Sequence, residues 1–334
     1  GASDEIINQA KRRGKDAHRL WVSRPYGVDE ERRKLALDNE ALLVENIGFS
    51  NEQVKKYVQR YFSIKKGLYA KPKEDKKHAS DTKHSRSIPV SPMLAPPPVP
   101  TAGALLGFLE KQPAVRGIAH IPINLQILCA LWADARNKEA FQKAASGSMV
   151  GLYDALCNYV WKRYKQRAVT SPKKEVKAKL YEVLGKIALA GLQAGELLIG
   201  ADTVEKLMEE SGQDERSLKA LLGDSGFLRQ TETGERYFLH LTFQEYFAGR
   251  ALAHGLLSAS EQEQKAAVSF LHTNQFKSQY RVMLMFMAGE VGKCAHAQGM
   301  QRLLKVIGEA PEGEMVGLQS LLLQLRCVNE LLGQ

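Results

Sequence analysis

The sequence has no apolar run long enough to span a bilayer. Its tightest one, Val282 to Ala288, has seven residues, against the roughly 18 that a membrane-spanning helix needs. Cysteine is sparse: Cys129, Cys157, Cys294 and Cys327 lie far apart with no CxxC pair, which argues against a zinc site or a disulfide scaffold. Each falls in an apolar helical stretch, so all four are expected to serve as small hydrophobes in a reducing cytosol. Catalytic signatures are missing as well. Gly-Lys pairs at Gly14-Lys15, Gly185-Lys186 and Gly292-Lys293 lack the Ser/Thr and the preceding glycine of a phosphate-binding loop. There is no GxSxG, no HExxH and no convincing catalytic Cys/His pair. The chain opens Gly-Ala-Ser, with no initiating Met and no signal-peptide pattern. That opening reads as a cloning scar, and the chain is expected to be part of a longer protein.

What is present is 334 residues, 44 % of them hydrophobic and 25 % charged, enough for two or three globular domains. The net charge of +10 is regional. Residues 63–86 hold eight Lys/Arg against three Asp/Glu, and residues 162–179 hold eight against one. These stretches fit an anionic partner, but a solvated loop and a solvated helix face explain them more simply.

Along the chain, Leu20-Trp-Val22 reads as a strand ended by Ser23-Arg-Pro25. A second short apolar run, Leu42–Ile47, stops at Gly48. Ser50-Asn-Glu-Gln53 is a capping box, and the helix after it places Val54, Tyr57, Val58, Tyr61 and Phe62 on one stripe. Residues 63–105 are rich in Lys, Ser and Pro without apolar periodicity, and read as a linker or insertion. The remainder is mostly helical. Pro122 suits the first position of one helix; others are expected over 149–168, 171–194, from an Asp202/Glu205 cap, and over 214–223. Two short strands, 226–230 and 236–239, then flank the turn Glu232-Thr-Gly234. Three helices followed by a hairpin is the element order of a winged helix. Thr242-Phe-Gln-Glu245 reads as a second capping box, opening a helix to about Leu257. Helices at 262–271, 277–289, 297–308 and 314–332 follow, with no sequence period to prove repeats.

Three residues stand out chemically. Arg24 ends a strand, where open α/β sheets bind ligands, and a guanidinium can grip a phosphate bidentately. Pro122 can offer an apolar ring face to a base, or is simply a helix-opening proline. His240 lies two residues before the expected cap Thr242, where free N–H groups and the helix dipole favour an anion; equally, it can close the hairpin against the next helix.

Trp21-Val-Ser-Arg-Pro25, Glu45-Asn-Ile-Gly-Phe-Ser50 and the Tyr57–Phe62 stripe resemble the late part of a NACHT NTPase domain. Pro122-Ile-Asn-Leu-Gln-Ile-Leu-Cys129 resembles that family's proline-led helix in helical domain 1, and Leu152-Tyr153 the entry to its winged-helix domain. The most specific likeness is Ser225-Gly-Phe-Leu228 followed by Phe238-Leu-His-Leu-Thr-Phe-Gln-Glu-Tyr-Phe247, and Val282–Gly289 is similar to the segment where a helical superstructure begins. The resemblance covers about 19–62 and 113–290. It implies a mainly α chain: an α/β NTPase remnant over 1–48, helical domain 1 over 49–147 with the basic insertion 63–105, a winged-helix domain over 148–241, and a helical domain over 242–334. It implies a STAND-class switch that is closed with ADP and assembled with ATP and Mg. Arg24 then reads the terminal phosphate, Pro122 lines the adenine pocket, His240 meets the ADP β-phosphate, and Asp4-Glu5 are a remnant of the Walker B cluster.

The family's P-loop half is missing, so this chain is expected to be inactive alone and to hold no nucleotide tightly. Its expected partners are its own upstream P-loop half, other proteins and further copies of itself, in the cytoplasm, or in a host cytosol if it is a secreted effector. The alternatives are a nucleotide-independent helical scaffold and a nucleic-acid-binding winged helix. The last is disfavoured because Asp214 and Glu215 offset Arg216 and Lys219 in the helix that would read a groove.

Overall fold

The sequence puts apolar residues at helical spacing almost everywhere, and the computed structural model is accordingly mainly α-helical. It describes residues 48–69, 101–134, 141–142, 148–168, 174–210, 215–309 and 317–332, all within one unit spanning 47–334. Arg24, Asp4, Glu5, the expected 20–22 strand and residues 70–100 of the insertion lie outside these.

The helices are α1 (Asn51–Tyr69), α2 (Ala102–Lys111), α3 (Pro113–Ala119), α4 (Pro122–Ala133), α5 (Met149–Arg167), α6 (Lys174–Ala194), α7 (Ala201–Glu209), α8 (Glu215–Asp224), α9 (Leu241–Leu257), α10 (Glu261–Asn274), α11 (Arg281–Gly308) and α12 (Gly317–Leu332). Between α8 and α9 stand β1 (Leu228–Gln230) and β2 (Arg236–Phe238), antiparallel with Leu228 opposite Phe238. No described helix is long and apolar enough to cross a membrane.

The first capping box forms as its spacing predicts. The Ser50 hydroxyl accepts from Gln53 N at 3.2 Å, and Gln53 Oε1 accepts from Ser50 N at 2.7 Å. Val54, Val58 and Phe62 are buried. The helix runs on to Tyr69, and α2 begins at Ala102 behind a Thr101 cap, so both edges of the 63–105 segment are helical. Gly48 has φ +80°, and a side chain there would collide with the His120 carbonyl. Phe49 N donates to that carbonyl at 2.7 Å, and the His120 ring bonds back to Phe49 O. The Gly-Phe-Ser segment is thus docked on the corner that leads into Pro122.

Two expectations are corrected. Asp202 lies inside the first turn of α7; Gly200 holds the cap position, without a side-chain bond. The segments 277–289 and 297–308 are not two helices: after a 3-10 turn over Ser278–Tyr280, one 28-residue helix, α11, runs from Arg281 to Gly308, with Gly289 buried inside the packing. The hairpin has a third partner: Ile199 exchanges N–H···O bonds of 2.8 and 2.9 Å with Arg236, on the far edge of β2.

The core centres on α9, which packs on α6 and α11. A Cβ on Gly249 would lie 2.6 Å from Met283 O and 2.9 Å from Met287 N, so α9 and α11 are in backbone contact there. Around them Tyr153, Phe243, Tyr246 and Phe286 form one aromatic cluster, with centroids 4.8–5.8 Å apart. Such pairs contribute beyond their buried area.

Candidate functional site

His240 is itself the N-cap of α9; the helix begins at Leu241, not at a Thr242 cap. Its extended backbone (φ −157°) turns the ring onto the first turn, where Nδ1 accepts from Thr242 N at 3.2 Å. A backbone N–H can only donate, so Nδ1 carries the lone pair and the neutral ring holds its proton on Nε2. Burial pushes the imidazole pKa below its ordinary value, which favours that neutral form. Among the described residues nothing is bonded to Nε2. The ring is half-buried, and offers one N–H at a helix N-terminus.

Pro122 is the exposed first residue of α4. Two residues on, Asn124 is fully buried, and its Nδ2 donates to Tyr153 Oη at 2.9 Å. The Tyr153 hydroxyl also sits close enough to the Thr242 side chain for that group to lower its pKa, and Thr242 Oγ1 lies 3.1 Å from His240 Nδ1. A polar chain therefore runs from the start of α4, through α5, to the start of α9. It ends in two open valences: the buried Asn124 Oδ1, which has no partner, and His240 Nε2–H. Burial raises the Tyr153 hydroxyl far above its usual pKa, so it remains a proton-bearing link. The structure thus links His240 to Asn124, two residues after Pro122, which itself makes none of these contacts, while Arg24, Asp4 and Glu5 fall outside the described residues.

Sequence reasoning missed a second polar centre. Glu290 on α11 is buried, its side chain 1 % exposed. Arg250 Nη1 of α9 lies 3.1 Å from Glu290 Oε1 and 3.3 Å from Asp154 Oδ1 of α5. Lys293 Nζ sits 2.7 Å from both Glu290 Oε2 and Asp154 Oδ2. Tyr246 donates to Asp154, and Arg250 to the Tyr246 hydroxyl. Burial raises the Glu290 carboxyl, but the His254 hydrogen bond and the charges of Arg250 and Lys293 outweigh it and hold the pKa at about 2. The two carboxylates and two cations balance, which is what makes the burial of Glu290 tolerable. Beside it, α5, α6, α9 and α10 line a cleft of about 1240 Å³ with Asp154, Lys177, Tyr181, Arg250, His254 and Phe270 on its walls. Cys294 is exposed and 3.7 Å from Glu290 Oε1, not a core hydrophobe; the other three cysteines are buried as expected.

Compared with models of known protein families and with curated proteins, the chain matches none.

Proposed function

We propose that this chain is the nucleotide-responsive regulatory and oligomerisation module of a NACHT-type signalling switch, working with a P-loop half that supplies the β/γ-phosphate cradle and Mg. The observation that carries the reading is the His240 cap. A side chain that fixes the helix start through one nitrogen and leaves the other N–H at the helix N-terminus is suited to a phosphate oxygen. The polar chain back to Asn124 ties that donor to the Pro122 corner, where the reading puts the base. In this account α4 belongs to helical domain 1. The run α5–α8, β1 and β2, with Ile199 pairing β2, is the winged-helix domain. ADP supplies a β-phosphate between the NTPase half and the winged helix, and losing that bridge releases the closed form.

The test is the oligomeric state of the full-length protein. Removing one hydrogen bond to a charged group costs about 1.5–3 kcal/mol, and a ligand shifts a two-state equilibrium only by its differential affinity. His240→Ala should therefore enlarge the self-associated fraction on light scattering in the presence of ADP. An unchanged monomer fraction contradicts the reading.

One observation favours the second reading, a nucleotide-independent interaction scaffold: α12 exposes Leu321, Leu322 and Leu325 on a single helix. A groove-reading winged helix draws less support, since Lys219 of α8 is paired with Glu205 at 2.5 Å.

A further inference from the structure

The nucleotide reading makes no use of the edge of the buried charge group, where three side chains of metal-ligating type converge. Glu290 and Cys294 are one helical turn apart on α11, so their side chains share a face. His254 reaches the same point from α9. His254 Nε2 is 3.2 Å and Cys294 Sγ 3.7 Å from the same oxygen, Glu290 Oε1, and the three ligand atoms all lie within 4.8 Å of one another. Zinc binds imidazole nitrogen at roughly 2.0–2.1 Å, thiolate at about 2.3 Å and carboxylate oxygen at about 2.0–2.2 Å; a tetrahedron with those arms has edges of about 3.3–3.6 Å. The two measured separations bracket that range.

The hydrogen bonding at Oε1 points the same way. Arg250 Nη1 (3.1 Å), His254 Nε2 and Cys294 Sγ all converge on this one oxygen, which has about two lone-pair sites. Three donors exceed its capacity. Arg250 has other partners in Asp154 Oδ1 and the Tyr246 hydroxyl, and Lys293 holds Glu290 by Oε2. Oε1 can therefore be given up to a cation without stranding either base.

We propose that His254, Glu290 and Cys294 form a binding site for a thiophilic divalent cation of the zinc type. The thiol and imidazole select zinc over magnesium or calcium, which prefer all-oxygen shells. Binding replaces the Cys294 S–H by an S–metal bond and releases that proton to solvent; the Nε2 proton that His254 gives to Glu290 Oε1 is exchanged through solvent for one on Nδ1, so the neutral ring binds through its freed Nε2 lone pair. Asp154, Glu290, Arg250 and Lys293 sum to zero charge, so the dication and one thiolate leave the cluster with a single positive charge. His254 (58 % exposed) and Cys294 are both reachable from solvent, which leaves the fourth position to water or to a ligand from another molecule. Cysteine spacing along the sequence argues against such a site because it searches for pairs, and here two helices supply one cysteine between them.

The experiment is titration of the reduced chain with Co²⁺ and then Zn²⁺. One equivalent of Co²⁺ should produce a thiolate charge-transfer band and the strong visible bands of tetrahedral cobalt, both displaced by Zn²⁺. Cys294→Ser should abolish the charge-transfer band, and His254→Ala should weaken Zn²⁺ binding by at least about tenfold, the lower end of the cost of removing even an outer-shell partner. Both residues are exposed, so these variants keep their fold where Glu290→Gln would strand two bases. Absence of the charge-transfer band at one equivalent in the parent chain overturns the proposal. So does Zn²⁺ affinity in both variants equal to the parent's.

Discussion

His240 combines two roles that substitutions can separate. Its Nδ1 cap is a local stability term; losing an N-cap acceptor costs about 0.5–2 kcal/mol. His240→Ala should lower the denaturant midpoint accordingly, whereas His240→Asn, which restores a cap acceptor, should leave it near the parent value; equal destabilisation by both would contradict the cap assignment. The cap also sets a pH dependence. Burial holds the folded-state pKa of His240 below the unfolded value of about 6.5. The folded state therefore binds fewer protons than the unfolded state between the two pKa values. The contribution is complete above about pH 6.5 and is lost as pH falls through the folded pKa, where the proton takes the lone pair facing Thr242 N. Melts of parent and His240→Asn at neutral and mildly acidic pH should diverge on acidification, the parent losing more.

Between elements, the joint of α9 with α11 is the tightest. A methyl on Gly249 would meet backbone atoms of α11, which cannot swing aside as a side chain can. Gly249→Ala should cost about 1–3 kcal/mol through overpacking, read as a fall in thermal midpoint without loss of helix content at room temperature. Glu290→Gln should cost about 3 kcal/mol, the low end for a buried pair, since it leaves the largely buried Arg250 facing a neutral group while Lys293, 37 % exposed, stays in contact with solvent. A change under about 1 kcal/mol, the range of a surface pair, would mean the group is effectively solvated. The sequence made the helices readable where one face is simple: the Val54–Val58–Phe62 stripe and the Ser50 box follow from period and capping alone. It hid whatever depends on partners far away in the chain. Asp154 meets Tyr246 and Lys293 across 92 and 139 residues, and no local pattern marks such a meeting. The sequence suggests a gap between 277–289 and 297–308, in a stretch where glycine is penalised in helices, yet α11 runs through Gly289 and Gly292, packed against α9 and α12. Ile199 went unread as a strand because a single bridging residue has no alternation to detect. The sequence puts His240 beside the cap, not at it, because histidine is not among the usual capping residues and only the ring orientation reveals the bond.

At the scale of the whole molecule, the last helix is tied back to the middle of the chain. Glu330 of α12 accepts from Met149 N at 3.1 Å, beside the Ser148 cap of α5, a carboxylate at a positive helix end. Helices on both sides of the hairpin therefore brace α5, the same helix whose Tyr153 links Asn124 to Thr242. From His240, contacts through Thr242 and Tyr153 reach α5, which Asn124 of α4 and Glu330 of α12 also touch. Since positioning and charge neutralisation do nearly all the work of phosphoryl transfer, this chain without a P-loop should not turn over ATP above a buffer blank. The most direct test of the account is ADP retained per protein after gel filtration of the full-length protein, for the parent, His240→Asn and His240→Ala. The account predicts that both variants lose ADP, by about ten- to a hundredfold in affinity for one charged hydrogen bond, although only the alanine variant loses the cap. Full ADP retention by His240→Asn would contradict it, leaving His240 as a helix cap and the scaffold reading in front.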